Sequence, residues 1–247
     1  MKALITGASG GIGREMAYYL AELGYDLILV ARRKDKLEEI KNNVKVNVQI
    51  FNYDLSDVAN VYQLYDAIDD VDFLVNNAGF GLVGKFHETD IERELEMIDL
   101  NIKALHILTK LFYTDFKEKN KGIILNVASS AGFLAGPYLS TYYATKNYVT
   151  KLSIALSEEL KREHSNVSIS VLCPGPVDTE FNDIANAKFS LKGLKASDVA
   201  KLAIDESLRK KLIIVPGLMM KITLFFNRFI PWSLSAKMAG YMQNKKM

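Results

Sequence analysis

Residues 6–13 read Thr6-Gly7-Ala8-Ser9-Gly10-Gly11-Ile12-Gly13, a glycine-rich turn between a short apolar run and a segment with helical periodicity. Glycine lets the backbone turn sharply and approach a pyrophosphate closely, because no Cβ stands in the way. The N-terminus of the following helix adds free N–H groups and the positive end of its dipole. In this position the turn predicts a dinucleotide-binding site, and an ordinary glycine-rich loop is the alternative.

The rest of the chain alternates short apolar runs with longer segments. The runs are rich in Val, Ile and Leu and occupy residues 3–5, 26–31, 46–51, 71–75, 122–127 and 167–173, with 213–215 as a candidate seventh. Nearly continuous apolar runs are typical of strands covered on both faces, and each run is followed by a segment long enough for a helix. The pattern predicts an α/β fold, a three-layer, doubly wound parallel sheet of about seven strands with helices on both faces.

The composition indicates a globular, single-domain protein. Of the 247 residues, 49% are hydrophobic and 24% are charged, which excludes a disordered or fibrous class. The net charge of +2 gives no reason to expect a nucleic-acid partner. Cys173 is expected to be buried, and the three histidines are too scattered to predict a metal site. The first apolar run meets Gly7 too soon for a secretory leader, so we expect a cytoplasmic protein.

Two arginines follow the second apolar run, where an NAD-binding fold places an acidic residue on the ribose 2′-hydroxyl. An acidic group would repel a 2′-phosphate, whereas the guanidinium of Arg32 can bind it in a bidentate manner. Arg33, Arg14 and Ser9 are candidates to assist. The sequence therefore favours NADP(H) over NAD(H). The alternative is that both arginines belong to the solvated run 32–36.

Three further turns follow predicted strands and are expected at the same edge of the sheet. Asp54-Leu55 follows the third run, and Asp54 is expected either to meet an adenine or to cap the next helix. Asn76-Asn77-Ala78-Gly79 follows the fourth run, and its small residues let a ligand approach closely. Ser129-Ser130 follows the fifth run, either as ligand-contacting residues or as plain turn residues. These turns and the glycine-rich turn would face one crevice.

Tyr142 and Lys146 are four residues apart at the start of a segment with helical periodicity. On a helix they would lie on one face, so the ammonium could favour the phenolate and lower the pKa of the tyrosine from about 10. The pair is a candidate proton donor and acceptor, and chance spacing is the alternative. Tyr143 would be turned about 100° away. Asn101 lies in an apolar helical stripe within residues 91–118, where a buried amide often marks a bend or a bound water.

In these motifs the chain closely resembles the short-chain dehydrogenase/reductase family, of the single-domain type, over residues 1 to about 180. The resemblance rests on the family's Thr-Gly-x-x-x-Gly-x-Gly turn, its Asn-Asn-Ala-Gly turn and a Pro-Gly after the sixth strand. Its catalytic residues match Asn101, Ser129, Tyr142 and Lys146, and the family's spacing of thirteen residues before the tyrosine selects Ser129 over Ser130. The expected cofactor-binding residues are Thr6, Gly7, Ser9, Gly11, Ile12, Gly13, Arg32, Arg33, Asp54, Leu55, Asn77, Ala78, Gly79, Tyr142, Lys146, Pro174, Gly175 and Thr179.

The resemblance implies hydride transfer between NADP(H) and the carbonyl or secondary alcohol of a small, apolar substrate. Tyr142 would donate the proton, and Lys146 would lower its pKa and hold the nicotinamide ribose. Ser129 would bond the carbonyl oxygen, and Asn101 would hold a water of the proton relay. The resemblance also implies a homodimer or homotetramer. The alternative is a non-catalytic dinucleotide-binding sensor or interaction module, which would have no need of all four catalytic residues.

The last residues differ in composition from the rest of the chain. We expect residues 1–217 to form the dinucleotide-binding and catalytic domain, and residues 218–247 to form its basic, aromatic helical extension. The extension is expected to pack over the substrate pocket or on a subunit partner, and an interfacial helix on a membrane surface is the alternative. We expect the loop 181–194 to be an apolar lid, with plain loop packing as the alternative. Its apolar residues are Phe181, Ile184, Phe189 and Leu191.

Overall fold

The structure, a computed structural model, describes residues 1–180 and 193–244. Its strands are β1 Lys2–Thr6, β2 Asp26–Val30, β3 Val48–Phe51, β4 Phe73–Asn76, β5 Ile123–Val127, β6 Ser168–Leu172, β7 Val177–Asp178, β8 Leu194–Lys195 and β9 Ile213–Ile214. Within these residues the main sheet has seven parallel strands in the order β3-β2-β1-β4-β5-β6-β9, and β7 pairs with β8. The predicted parallel sheet, including its seventh strand, is confirmed.

Helices cover both faces of the sheet. They are α1 Gly11–Glu22, α2 Lys34–Asn43, α3 Val58–Asp66, α4 Ile91–Ile98, α5 Leu105–Lys119, α6 Ser140–Arg162, α7 Ala196–Leu208, α8 Leu218–Asn227 and α9 Trp232–Asn244. Side chains of α1, α2 and α7 form one apolar cluster with the sheet, with Met16, Ile40 and Ile204 among its fully buried members. Side chains of α3, α5 and α6 form a second cluster on the other face. The three predicted layers are therefore confirmed.

The segment 91–118, predicted as one long helix, is interrupted. A π-helical turn, Asp99–Ala104, separates α4 from α5, and Asn101 lies in it with no exposed surface. A π-turn inserts one extra residue into the helix and leaves backbone groups to be bonded in other ways. The irregularity that the buried asparagine predicted is thus present at that residue.

Side-chain hydrogen bonds tie together the carboxyl ends of the central strands. Thr6 Oγ1, at the end of β1, accepts the backbone N–H groups of Asn77 and Ala78, each at 3.0 Å. Asn76 Nδ2, at the end of β4, donates to Asn126 Oδ1 of β5 at 2.9 Å. Strand order reverses between β1 and β4, the switch point where doubly wound sheets bind ligands. The turns that the sequence singled out therefore lie together at one edge.

Candidate active site

A cavity of about 590 Å³ opens at this edge of the sheet, bounded by the turns after the strands and by α8 and α9. Most of the residues expected to bind cofactor or substrate line it. They are Gly7, Ser9, Gly11, Ile12, Arg32, Arg33, Asp54, Leu55, Asn77, Ala78, Gly79, Ser129, Tyr142, Lys146, Pro174, Gly175 and Thr179. Thr6, Gly13 and Asn101 are not among the residues that line the cavity.

The glycine-rich turn depends on close packing against the turn after β4. Gly7 has φ +65°, and a Cβ on it would lie 2.8 Å from the Cα of Ala78. A Cβ on Gly13 would overlap the Asn77 side chain and the Gly7 carbonyl oxygen. Thr6 and Gly13 therefore lie behind the cavity wall, where they hold the turn in place. A dinucleotide fits this cradle, because glycine keeps the backbone of the turn accessible at the start of α1.

Basic side chains lie at the β2 end of the cavity. Arg33 donates from Nε to Ser9 Oγ at 3.3 Å and from Nη2 to the Ser9 carbonyl oxygen at 3.1 Å. Arg32 remains half exposed and forms ion pairs with Asp54 and Glu96. Arg32, Arg33 and Ser9 all line the cavity, and Arg33 also pairs with Glu180 at 2.7 Å.

At this end of the cavity the expectation for Arg14 is wrong, and one of the two alternatives for Asp54 is excluded. Arg14 pairs with the neighbouring Glu15 and does not line the cavity, because the first turn of α1 carries it away from Arg33. Asp54 does not cap α3. The cap is Asp57, which accepts the Ala59 N–H at 2.9 Å. Partial burial raises the pKa of Asp54, but hydrogen bonds from Ser56 and the charge of Arg32 outweigh it, so the net pKa is lowered.

The hydroxyl groups of Tyr142 and Ser129 meet in the cavity. Tyr142 lies in the first turn of α6, and Ser129 precedes the 3₁₀ turn Ser130–Phe133 that follows β5. Burial raises the pKa of Tyr142 to about 12, against the lowering effect of a hydrogen bond with Ser129. The phenol of Tyr142 is therefore protonated at neutral pH. Ser129 Oγ also lies 3.4 Å from the Pro174 carbonyl oxygen, which links it to the turn after β6.

Lys146 lies one helical turn beyond Tyr142 on the same face of α6, as its spacing predicted. Its ammonium donates to the Val127 carbonyl oxygen at 2.9 Å and is 5.9 Å from the centre of the Tyr142 ring. Burial lowers the pKa of Lys146 to about 8. The net pKa of Tyr142 is raised and not lowered as expected, because burial disfavours the phenolate and the ammonium donates to a carbonyl oxygen.

Asn101 connects three parts of the site instead of lining the cavity. Its Nδ2 donates to the Phe80 carbonyl oxygen at 2.9 Å and to Thr145 Oγ1 at 3.1 Å, and its Oδ1 accepts the Phe80 N–H at 3.1 Å. Thr145 in turn donates to the carbonyl oxygen of Tyr142 at 2.7 Å. Both amide hydrogens are thus used within the protein. The side chain fixes the turn after β4 against the start of α6.

Tyr143 also belongs to the cavity wall, although the helix turns it about 100° from Tyr142. Its ring packs edge-on against Tyr142 at 6.2 Å, and its hydroxyl accepts from Gln243 Nε2 of α9 at 2.6 Å. Sequence reasoning missed Gln243, because 100 residues separate the two partners and no local pattern marks the contact.

Other lining residues that the sequence did not identify are apolar. They include Leu134, Leu139, Met220, Leu224 and Met238. The apolar residues of the expected lid, Phe181, Ile184, Phe189 and Leu191, lie outside the described residues. Within residues 1–180 and 193–244, no group of three or more His, Cys, Asp and Glu side chains could hold a metal ion.

Comparisons with known proteins agree with this geometry. A family model described as short chain dehydrogenase matches residues 1–189. The chain is 35% identical over 190 residues to a probable NADP-dependent dehydrogenase of Haemophilus influenzae, covering 74% of each chain.

Solved structures with the same fold carry either cofactor. A short-chain dehydrogenase from Sphingobium yanoikuyae in complex with NADPH has a TM-score of 0.83 and 29% identity, over 92% of this chain and 93% of that one. A short-chain dehydrogenase/reductase from Burkholderia phymatum in complex with NAD also has a TM-score of 0.83, with 25% identity over 92% of both chains.

Proposed function

The chain belongs to the short-chain dehydrogenase/reductase family, and from that premise we propose that it is an NADP(H)-dependent carbonyl reductase or alcohol dehydrogenase. Its substrate would be a small, apolar ketone, aldehyde or secondary alcohol. The observation that supports this most directly is the meeting of the Tyr142 and Ser129 hydroxyls in the cavity, with Lys146 buried behind them.

The bound nicotinamide would supply or accept the hydride. The residues of this chain would manage the oxygen and its proton. Ser129 would hold the carbonyl oxygen, and its hydrogen bond would strengthen as charge develops there. Tyr142 would give its proton to that oxygen, which is worth roughly a hundred- to ten-thousand-fold in rate. Tyr142 is protonated at neutral pH, and burial favours that form further, so its resting state is the one that carbonyl reduction requires.

Lys146 would act beside this pair in two ways. Its ammonium would offer hydrogen bonds to a ribose hydroxyl, because the cavity brings it close to Gly79. A Cβ at Gly79 would lie 3.4 Å from Lys146 Nζ and 2.7 Å from Asn101 Oδ1, so glycine leaves room at this point. Its charge would also compensate the phenolate that remains on Tyr142 after proton transfer.

The proposed preference for NADP(H) rests on the basic end of the cavity. Arg32, Arg33 and Ser9 present donors where a 2′-phosphate would lie, and fork-shaped guanidinium groups suit a phosphate. Asp54 accepts from Arg32, so this carboxylate is already paired with a cation.

The proposed apolar substrate follows from the walls of the cavity around Tyr142. Leu134, Leu139, Met220 and Leu224 supply apolar surface there. A screen of ketones, aldehydes and secondary alcohols of increasing size, followed by NADPH absorbance, tests the proposal. We expect turnover of apolar carbonyls and weak or no turnover of charged ones. Binding of NADPH without turnover of any carbonyl or alcohol would instead indicate the dinucleotide-binding module.

A further inference from the structure

The helix α8 has two apolar faces. Its inner face lines the cavity through Met220, Leu224 and Asn227, which follow the spacing of four and three residues that keeps side chains on one side of a helix. Asn227 fixes this face in place, since its Oδ1 accepts from Ser235 Oγ at 2.7 Å and its Nδ2 lies 3.4 Å from the Phe133 carbonyl oxygen.

The opposite face of α8, the turn after it and the first residue of α9 are exposed and apolar. We call this surface the outer face. It consists of Leu218, Met219, Ile222, Phe225, Phe226, Phe229 and Trp232. Phe229 is 71% exposed and Trp232 is 70% exposed, and Phe225 stacks edge-on with both Phe226 and Phe229. A helix that is apolar all round is normally buried on all sides. A contiguous exposed patch of this kind indicates an interaction site.

The charged residues of segment 218–247 have one sign. Lys221, Arg228 and Lys237 are exposed on α8, on the turn after it and on α9. The sequence from 218 to 247 contains no aspartate or glutamate. Three cations beside exposed aromatic side chains form the combination that binds an anionic lipid surface.

We propose that the outer face docks on an anionic lipid surface, with the aromatic side chains inserted at the boundary between headgroups and acyl chains. No helix in the described parts of the chain has the length and apolar content needed to cross a bilayer, so the contact is interfacial. A two-fold contact with a second copy would place the same cations against each other with no acidic partner on the outer face. The charge pattern therefore favours lipid over self-association.

Docking in this orientation places α8 between the lipid and the cavity. Its outer face meets the membrane while its inner face forms the cavity wall. The lipid contact does not depend on the reaction proposed above, because none of the outer-face side chains lines the cavity. The lipid contact can therefore be tested by measuring vesicle binding, without an assay of enzyme activity.

Co-sedimentation of the full chain with vesicles tests the proposal. We expect binding to vesicles of phosphatidylcholine and phosphatidylglycerol in equal parts, weaker binding to pure phosphatidylcholine, and loss of binding at high salt. The combined variant Phe225→Ser and Phe229→Ser should abolish binding. The combined variant Lys221→Gln, Arg228→Gln and Lys237→Gln should weaken it by roughly 100-fold, at about fivefold per cation.

Matched controls carry the same changes elsewhere on the surface. Leu23→Ser with Tyr62→Ser removes two exposed apolar side chains, and Lys41→Gln with Lys45→Gln and Lys161→Gln removes three exposed cations. Both controls should bind like the wild type, with unchanged circular dichroism spectra in all variants. Absence of wild-type binding, or equal binding by the outer-face variants, would overturn the proposal. So would a wild-type multimer in sedimentation velocity that the two phenylalanine changes dissociate, because the outer face would then join two copies.

Discussion

Gln243 Nε2 donates a 2.6 Å hydrogen bond to the hydroxyl of Tyr143, which joins α9 to the helix that carries Tyr142 and Lys146. Tyr143 also packs edge-on against Tyr142. The position of α9 therefore bears directly on the ring that we propose as the proton donor. A residue near the end of the described chain helps to shape the wall of the cavity at its reacting end.

This contact predicts a coupling that a thermodynamic cycle can measure. Gln243→Ala leaves the half-buried Tyr143 hydroxyl without this partner, and Tyr143→Phe leaves the Gln243 amide without its acceptor. Each change should lower the free energy of unfolding by about 1–3 kcal/mol. The double variant should lose clearly less than the sum, because both changes remove the same bond. Additive losses would show that the two side chains act independently.

The basic end of the cavity predicts the cofactor preference. Arg33→Ala should raise the Michaelis constant for NADPH by roughly 10- to 100-fold, the worth of a charge-assisted hydrogen bond, and should change that for NADH little. Arg32→Asp should also raise the Michaelis constant for NADPH, because the new carboxylate would repel the 2′-phosphate. Arg14→Ala is the matched control, because Arg14 lies outside the cavity. A wild type that turns over faster with NADH than with NADPH would contradict the assignment.

The hydrogen bonds of Asn101 predict that this side chain contributes to the stability of the fold. Asn101→Ala removes the partners of the Phe80 N–H and carbonyl groups, and each buried group left unbonded costs about 1–3 kcal/mol. We expect the free energy of unfolding to fall by about 3 kcal/mol, as measured by urea denaturation. The exposed Asn43→Ala should stay within about 0.5 kcal/mol of wild type. If Asn101→Ala and Asn43→Ala lowered the free energy of unfolding equally, the structural role that we assign to Asn101 would be contradicted.

Lys146 predicts a specific dependence of stability on pH. Its pKa falls from 10.5 to about 8 on folding, so below pH 8 the folded protein carries the full penalty of a buried ammonium. The penalty shrinks as pH rises from 8 towards 10.5, because the unfolded chain then binds more protons than the folded one. Relative to Lys146→Met, wild type should therefore gain stability between pH 8 and 10.

The raised pKa values of Cys173 and Tyr142 oppose this trend above their ordinary values of 9.0 and 10.0, because the unfolded thiol and phenol ionise first. Both groups are present in the two proteins, so the clearest difference is expected between pH 8 and 9, below the ordinary pKa of the Cys173 thiol. Thermal unfolding of the two proteins across this range measures the effect. A constant difference between them would mean that Lys146 titrates near its ordinary value.

The parts of the site that could be predicted are those fixed by local sequence. The turn Thr6 to Gly13 needs glycine for its backbone geometry, and its place between a strand and a helix is visible in the chain itself. The i and i+4 spacing of Tyr142 and Lys146 is likewise a local property of a helix. The parallel sheet follows from the alternation of apolar runs with helical segments, because parallel strands need crossover helices.

The features that could not be predicted depend on how segments far apart in the chain pack against each other in space. The pKa of Tyr142 is set by how deeply the site is buried, and sequence spacing says nothing of that depth. Spacing singled out Tyr142 and could not show that Tyr143 also lines the cavity, because its contact with α9 joins residues 100 positions apart. Asp54 was a candidate cap because it is an aspartate before a helix, but Asp57 is closer to the first turn and takes that role.

The most direct test of the proposed function is the turnover of Tyr142→Phe, which removes the hydroxyl and keeps the ring. Tyr148→Phe is the matched control, since Tyr148 lies on the same helix but outside the cavity. We predict that Tyr142→Phe binds NADPH as wild type does and reduces carbonyls roughly a hundred- to ten-thousand-fold more slowly, while the control stays near wild type. Wild-type turnover by Tyr142→Phe would contradict the account.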